Sequence, residues 1–217
     1  MKIDRATATG WLRDVAAGRW DAALSDRGGF RRAANSTVFA RKVADGGRQR
    51  IHLDLIVRPP HARDSFHLSP RCSVAFPAIA KVAAQMLGRN VGGFGKSGVV
   101  EMGLLDLIAP ESPMMLFDSA ERLAAFAPEI ERYLTEALVP FLDQRTSVAA
   151  FTETKWREWV DNGVSPYGAG RYPLLVAAGH LVMGDARQAL RTLETAYPEG
   201  SDDRKEYEDA FLVVQAF

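Results

Sequence analysis

The sequence predicts an α+β protein, and three observations carry this prediction. Apolar residues recur at helical spacing near the N-terminus, alternate with polar residues over positions 49–57, and return to helical spacing from position 119 onward. The expected architecture is an N-terminal helix, an antiparallel sheet of about four to five strands with a packed helix, and an all-helical C-terminal part. We expect a sheet domain over residues 1–118 and a helical region packed on it over residues 119–217, as two domains or as one continuous domain.

An amphipathic helix is predicted over residues 7–25. Leu12, Val15 and Trp20 share one face at helical spacing, and Gly28-Gly29 follows as a natural end. We interpret this apolar stripe as core.

Three short antiparallel strands are expected next, because turn-forming residues separate segments that suit strands. The strands are Phe30–Ala34, Thr37–Val43 and Gln49–Val57. Asp45-Gly46 suits the hairpin turn between the second and third strands. After Pro59-Pro60 we expect a polar loop from His61 to Ser73, in which Ser65–Leu68 could form a short strand.

The middle of the chain predicts one helix and the last strands of the sheet. Residues 76–87 place apolar side chains on one face and end at Gly88, which suits a helix C-terminus. A strand is expected over Val99–Ala109, and a last one over Met114–Phe117.

Helices are predicted from position 119 to the C-terminus. Ser119 suits the N-cap of a short turn, Pro128 suits the first turn of a new helix, and Pro140 closes that helix. Further helices are expected over residues 147–161, 172–183, 186–197 and 203–216. The pair over residues 172–197 resembles one tetratricopeptide-type hairpin, although no 34-residue repeat recurs.

Charge is balanced overall but not along the chain. The 27 basic and 27 acidic side chains cancel, yet residues 1–100 hold 17 basic and 7 acidic ones, whereas residues 101–217 hold 10 and 20. The candidate binding residues lie in the densest basic segment: Arg31, Arg32, Arg41, Lys42, Arg48 and Arg50. Two interpretations remain open. The segment forms a basic surface for an acidic partner, or the two halves neutralise each other.

The motifs that suggest catalysis, metal binding or nucleotide binding do not meet the requirements of those sites. Gly95-Lys96-Ser97 lacks the spacing and the strand–loop–helix context of a phosphate-binding loop, and Glu101 and Asp106 have opposite strand parity. The possible metal ligands have no recognised spacing: His52, His61, His67 and Cys72. We therefore expect no catalytic residue, no cofactor and no metal.

Three side chains have both a functional and a structural interpretation. Phe30 and Phe39, beside arginines, suit a stacking platform for single-stranded nucleic acid, but aromatic residues on a small sheet are more often core. Cys72 suits a nucleophile only with a histidine and an acid nearby, and otherwise a buried apolar position. A nucleic-acid binder usually has a basic excess over its whole domain, so the sequence favours a protein partner.

The compartment is expected to be the cytoplasm. Cys72 stands alone, so no intrachain disulfide can form. No segment has the length of uninterrupted apolar residues that a membrane span needs, and the N-terminus lacks the apolar core of a signal peptide. We expect no membrane association.

Several local features together resemble a bacterial family, domain-of-unknown-function family 4304. The features are the N-terminal helix and four short runs: Gly29-Phe30-Arg31-Arg32, Phe39-Ala40-Arg41, Gln49-Arg50-Ile51 and Leu138-Val139-Pro140-Phe141-Leu142-Asp143. The resemblance covers residues 7–145 and implies a small fold of helix, antiparallel sheet and helix. It implies no catalytic residues.

The function that these observations favour is protein interaction. We expect a non-enzymatic bacterial protein, such as an immunity or accessory protein, that acts through its charged surface. The alternative is an enzyme or small-ligand-binding protein with a pocket between sheet and helices, near residues 52–72 and 92–98.

Overall fold

The α+β fold class is confirmed by a computed structural model, which describes residues 3–57, 59, 64–88, 100–103, 115–162 and 172–217. Contacts between Cα atoms divide the chain into two compact units. The first unit contains Met1–Lys42, Arg48–Ser73 and Glu101–Asp143, and the second contains Val43–Gly47, Val74–Val100 and Gln144–Phe217. Each unit therefore draws on residues from both sides of position 118.

The described residues contain six strands and ten α-helices. The strands are β1 (Arg31–Arg32), β2 (Val38–Lys42), β3 (Arg48–Val57), β4 (Phe66–Ala75), β5 (Val100–Gly103) and β6 (Leu116–Phe117). The helices are α1 (Arg5–Val15), α2 (Asp21–Gly28), α3 (Pro77–Met86), α4 (Ala120–Tyr133), α5 (Val139–Asp143), α6 (Val148–Asn162), α7 (Tyr172–Val182), α8 (Ala186–Ala196), α9 (Asp202–Glu206) and α10 (Glu208–Gln215). Two π-helical segments, Ala16–Trp20 and Leu134–Leu138, join α1 to α2 and α4 to α5.

The strands form one sheet in the order β1-β2-β3-β4-β5, and β6 pairs with the start of β4. The pairs β1/β2, β2/β3 and β4/β6 are antiparallel, as expected. β1 is shorter than predicted because a turn follows it directly. In this turn the Ser36 amide donates a hydrogen bond to the Ala33 carbonyl at 2.9 Å. The predicted continuation of β5 to Ala109 lies outside the described residues.

The short strand that the sequence allows over Ser65–Leu68 is present as the start of β4, and the expected loop is wrong over Ser69–Ser73, where β4 continues. In β4, Phe66, Leu68, Pro70 and Cys72 are buried, while His67, Ser69 and Arg71 between them are partly exposed. This is the ordinary alternation of a strand with one face in the core. Pro70 obscured it, because proline is rare in the interior of a sheet.

Two long bent helices pack side by side in the first unit. Each consists of an α-helix, a π-helical segment and a second α-helix. α1 contacts α4, and α2 contacts the second π-helical segment and α5, so the two rods run in the same direction. Their junction is fixed by the buried Trp20, whose Nε1 donates to the Ala127 carbonyl at 3.1 Å.

The predicted helix start at Pro128 and helix end at Pro140 are both wrong. The chain stays helical from Ala120 to Asp143. Pro128 lies on the exposed side of α4, where water can hydrate the Ala124 carbonyl that loses its amide donor. Pro140 is the second residue after the π-helical segment, where the hydrogen-bond ladder already changes register.

The core of the first unit lies between the sheet and these rods. Its largest buried side chains include Trp20, Phe30, Phe39 and Phe66, and α1 contacts β3. A buried amide ties the sheet to α5: the Gln49 Nε2 donates to the Leu142 carbonyl at 2.7 Å. One face of β2 and β3 is thus covered, and the other is left for solvent.

The second unit is mainly helical and contains the predicted hairpin. α7 and α8 contact each other across a turn at Gly184, whose φ of 80° requires glycine, and the Asp185 carboxylate caps α8 by accepting from the Gln188 amide at 3.0 Å. The likeness of this hairpin to a tetratricopeptide unit stays a prediction. The single last helix expected over residues 203–216 is wrong: Tyr207 interrupts it and stacks on Tyr197 with the ring centroids 4.4 Å apart.

No helix within the described ranges has the length and apolar character needed to span a membrane.

Candidate functional site: the basic outer face of the sheet

Strand register divides the six candidate binding residues between two faces of the sheet. Arg31 pairs with Ala40, which pairs with Arg50, and Lys42 pairs with Arg48. Because directly paired residues project from the same side of a sheet, these four cations share one face, which we call the outer face. Arg32 and Arg41 fall on the other face, with the buried residues of the core.

Arg32 is held inside the protein by a dense set of contacts. Its Nε and Nη2 donate to the two carboxylate oxygens of Asp21 at 2.9 and 2.7 Å, and its Nη1 donates to three nearby carbonyls. The side chain is only 2% exposed. Such a bidentate pair orders the turn after β1 and leaves no guanidinium surface for a partner.

Arg41 is engaged in the same way. Its Nη2 pairs with the Asp143 carboxylate at 2.6 Å, its Nη1 donates to the Gly28 carbonyl at 2.7 Å, and its Nε donates to Gln49 at 2.7 Å. The guanidinium also lies over the Phe30 ring, 4.4 Å from its centroid. Arg32 and Arg41 therefore serve the fold, and we leave them out of the candidate surface.

The four outer cations have no such partners. Across the described part of the chain, the side chains of these four residues make no hydrogen bond and no ion pair: Arg31, Lys42, Arg48 and Arg50. The first three are exposed and Arg50 is half-buried. We call these four residues the basic patch.

The basic patch carries an electrostatic cost for folding. Lys42 and Arg48 lie directly opposite each other, and like charges in that position destabilise a sheet by a few tenths of a kcal/mol up to about 1 kcal/mol. Strand spacing places Arg31 and Arg50 about 10 Å apart, with the exposed Ala40 between them, and the Lys42–Arg48 row about 7 Å further along. Four unneutralised cations thus occupy an area of roughly 10 by 7 Å.

The remaining outer face of β3 and β4 is polar and already paired. The His52 Nε2 lies 3.1 Å from the Ser73 hydroxyl. Asp54 forms an ion pair with Arg71 and is the only acidic residue on this face of β1 to β4. Its charge is therefore directed to Arg71 and not to the basic patch.

The charge asymmetry along the sequence does not persist between the two units. The first unit contains 16 basic and 15 acidic side chains, and the second contains 11 and 12. Within the first unit, the ion pairs Arg19–Glu131 and Arg41–Asp143, both at 2.6 Å, join the basic half of the chain to the acidic half. Neutralisation between the halves therefore occurs inside this unit, and the four cations of the basic patch are among those that it leaves out.

The structure also describes several of the residues considered for stacking on bases, for nucleophilic catalysis and for metal binding. Phe30 and Phe39 are fully buried, so they form core and not a stacking platform. Cys72 is buried as a small apolar side chain. Among the residues that the structure covers, no cluster of His, Cys, Asp and Glu could hold a metal ion. His61 and residues 92–98 lie outside the described ranges.

Two surface cavities are formed by side chains other than those of residues 52–72, where the sequence predicts a ligand pocket. One, of about 370 Å³, lies between α1 with its π-helical extension and α4, and it is mostly apolar, with Trp11 and three alanines in its lining. The other, of about 540 Å³, lies in the second unit between α6, α7 and α8. Sequence reasoning missed both, because each is formed by helix packing rather than by a local motif.

The larger cavity has a lining of both polar and apolar side chains. Its polar lining includes His180, Asp185 and Arg191, and the buried Thr152 and Thr192, whose hydroxyls donate to the Val148 and Gln188 carbonyls at 2.8 Å. Burial lowers the pKa of His180 below its usual value, and the Asp185 carboxylate partly opposes this shift. The neutral imidazole that results near neutral pH offers one donor and one acceptor.

Comparison with known proteins adds no assignment: no family model, no curated protein and no solved structure matches the chain. The resemblance to family 4304 stays a prediction.

Proposed function

We propose that this chain is an interaction protein that binds an acidic protein partner through the basic patch. The observation that carries the proposal is the set of four unpaired cations on one exposed sheet face, in a protein that pairs Arg19, Arg32 and Arg41 internally. These cations repel each other, and no acidic side chain among the described residues pairs with them. Such a surface is expected to gain stability when an acidic partner neutralises it. A role as an immunity or accessory protein fits such a surface.

A protein partner is favoured over a nucleic acid by two features of the first unit. Its net charge is close to zero, whereas a nucleic-acid-binding domain usually keeps a basic excess. The aromatic rings nearest the basic patch, Phe30 and Phe39, are fully buried and cannot stack on bases. The patch is therefore suited to a limited number of carboxylates.

The expected contribution of the patch is mainly to encounter rate and specificity. Exposed ion pairs contribute roughly 0.2–1 kcal/mol each, and complementary charge raises the association rate at low salt. At 0.1 M salt, the interaction between exposed charges decays over a distance of about 10 Å. Binding should therefore weaken as salt is added.

The test is affinity capture with two matched variants. The patch variant carries Arg31→Glu, Lys42→Glu and Arg48→Glu. The control variant carries Arg27→Glu, Lys81→Glu and Arg187→Glu, three exposed cations outside the patch, so both variants change the net charge equally.

The proposal predicts a stoichiometric acidic protein that the wild type and the control variant retain at low salt and that the patch variant does not. Equal retention by all three proteins contradicts the proposal, and so does patch-dependent retention of nucleic acid alone. Circular dichroism of each variant shows whether the fold is kept.

A second candidate function, binding of a small polar molecule, is favoured by the 540 Å³ cavity of the second unit. The lining combines His180, whose pKa burial lowers, with Asp185 and Arg191, and the Arg191 side chain makes no ion pair among the described residues. A thermal-shift screen with free amino acids and dipeptides tests this candidate. Stabilisation of the wild type that Arg191→Gln abolishes supports it, and the absence of any shift contradicts it.

A further inference from the structure

The basic patch has a shape as well as a charge. Along β2 the outer residues are Val38, Ala40 and Lys42, and the first two are small or aliphatic. Arg31 on β1 and Arg50 on β3 flank Ala40 on either side in one row. Because Ala40 has only a methyl group between two long side chains, the sheet face forms a short, shallow trough over Val38 and Ala40, with Arg31 and Arg50 on its sides and Lys42 at one end.

The dimensions of this trough match an α-helix. The Cα atoms of Arg31 and Arg50 are about 10 Å apart, close to the width of an α-helix with its side chains, about 10–12 Å, so the two flanks of a helix that lies over Ala40 come above the two cations. Alternate residues of β2, such as Val38 and Ala40, are about 6.8 Å apart, and four residues of a helix rise about 6.0 Å. Small residues at every fourth helix position can therefore lie on the floor while carboxylates on both flanks reach the cations.

An extended peptide fits the trough less well. Successive side chains of a strand point to opposite faces, so a bound strand directs only one row of carboxylates toward the sheet. One row can neutralise one side of the trough, but it leaves the cations on the other side unpaired. A helix with acidic residues on both flanks of a small-residue stripe pairs with both sides at once.

We infer that the partner segment that binds the basic patch is an amphipathic acidic helix, with small residues over Val38 and Ala40 and carboxylates toward Arg31 and Arg50. This inference rests on the proposed function and names the kind of partner that the same site accepts. The mode of recognition is a helix in a groove, in which the helix supplies regularly spaced anchors.

The experiment uses the full chain and three synthetic peptides of about 16 residues with identical composition. In the first, glutamates flank an alanine stripe, and in the second, they are distributed around the helix; both carry one proline at the C-terminus. In the third, that proline and a central alanine of the first peptide exchange places. Fluorescence anisotropy measures their binding to the wild type, the patch variant and the control variant.

The inference predicts that the flanked peptide binds the wild type and the control variant at least about tenfold more tightly than the other two peptides. The patch variant should lose this preference. Ala40→Leu, at an exposed position where leucine fits, should fill the trough and weaken the flanked peptide by about fivefold or more, with little effect on the distributed peptide.

Equal affinities for the three peptides overturn the helix assignment, since charge alone then explains binding. Failure of the flanked peptide to bind also overturns it. Neither result contradicts the proposed function, which fails separately if affinity capture yields no patch-dependent acidic protein.

Discussion

The close approach of α7 to α6 at Gly179 gives a sharp test of the packing in the second unit. A Cβ added at Gly179 would overlap Oγ1 of the buried Thr152. Glycine in the middle of a helix normally costs about 0.5–1 kcal/mol relative to alanine, so Gly179→Ala should stabilise the protein if nothing opposed it. Overpacking of a dense core costs typically about 1–3 kcal/mol. The two effects differ in sign, and the net expectation is a loss of about 1–2 kcal/mol.

The assay is urea-induced unfolding of wild type and variants, with a matched control at Gly10. Gly10 lies inside α1 and has open space around it, so Gly10→Ala should stabilise by about 0.5–1 kcal/mol. Thr152→Ala should relieve the overlap. The free energy of unfolding that the double variant Thr152→Ala, Gly179→Ala loses should therefore be smaller, by at least about 1 kcal/mol, than the sum of the losses in the two single variants. A Gly179→Ala protein that is as stable as the wild type, or more stable, would refute the reasoning.

Three further predictions follow from the described contacts. Arg32→Ala should lower the free energy of unfolding by about 2–3 kcal/mol, because it removes a charged, hydrogen-bonded pair, whereas Arg31→Ala should change it by less than about 0.5 kcal/mol in the same denaturation assay. Asp185→Ala should cost about 1 kcal/mol through loss of the α8 cap, which thermal unfolding can measure. Because burial holds the pKa of His180 below its usual value, the unfolded chain binds more protons there. Stability should therefore fall as the pH is lowered from 7 to 5, and His180→Gln should reduce that fall in pH-dependent denaturation; an unchanged pH dependence would contradict this.

The regular elements follow from local patterns, and their positions could be predicted for that reason. Alternation identified β3, helical spacing identified α3 and the α7–α8 hairpin, and Gly28-Gly29 marked the end of the first rod. The π-helical segments are not visible in a pattern, because they only shift the hydrogen-bond register within a continuous helix. The helix boundaries predicted at Pro128 and Pro140 are wrong for a related reason. Whether a proline ends a helix depends on solvent access to the carbonyl that loses its donor and on the hydrogen-bond register around the proline.

The candidate site shows where sequence reasoning stops. The clustering of basic residues is local and could be predicted, but strand register decided which of them face solvent. The carboxylates that hold Arg32 and Arg41, those of Asp21 and Asp143, lie 11 and 102 residues away in the chain. Such pairs depend on the tertiary fold, so the six predicted candidates could be separated into two structural and four free cations only with the structure.

The most direct test of the central claim is the dissociation constant of the captured acidic partner, measured by calorimetry at low salt for the wild type, the patch variant and the control variant. We expect Arg31→Glu, Lys42→Glu and Arg48→Glu together to weaken binding at least about tenfold, because each reversal replaces attraction by repulsion. The control variant should bind within about twofold of the wild type. Equal dissociation constants for the patch and control variants would contradict the claim that the basic patch is the binding surface.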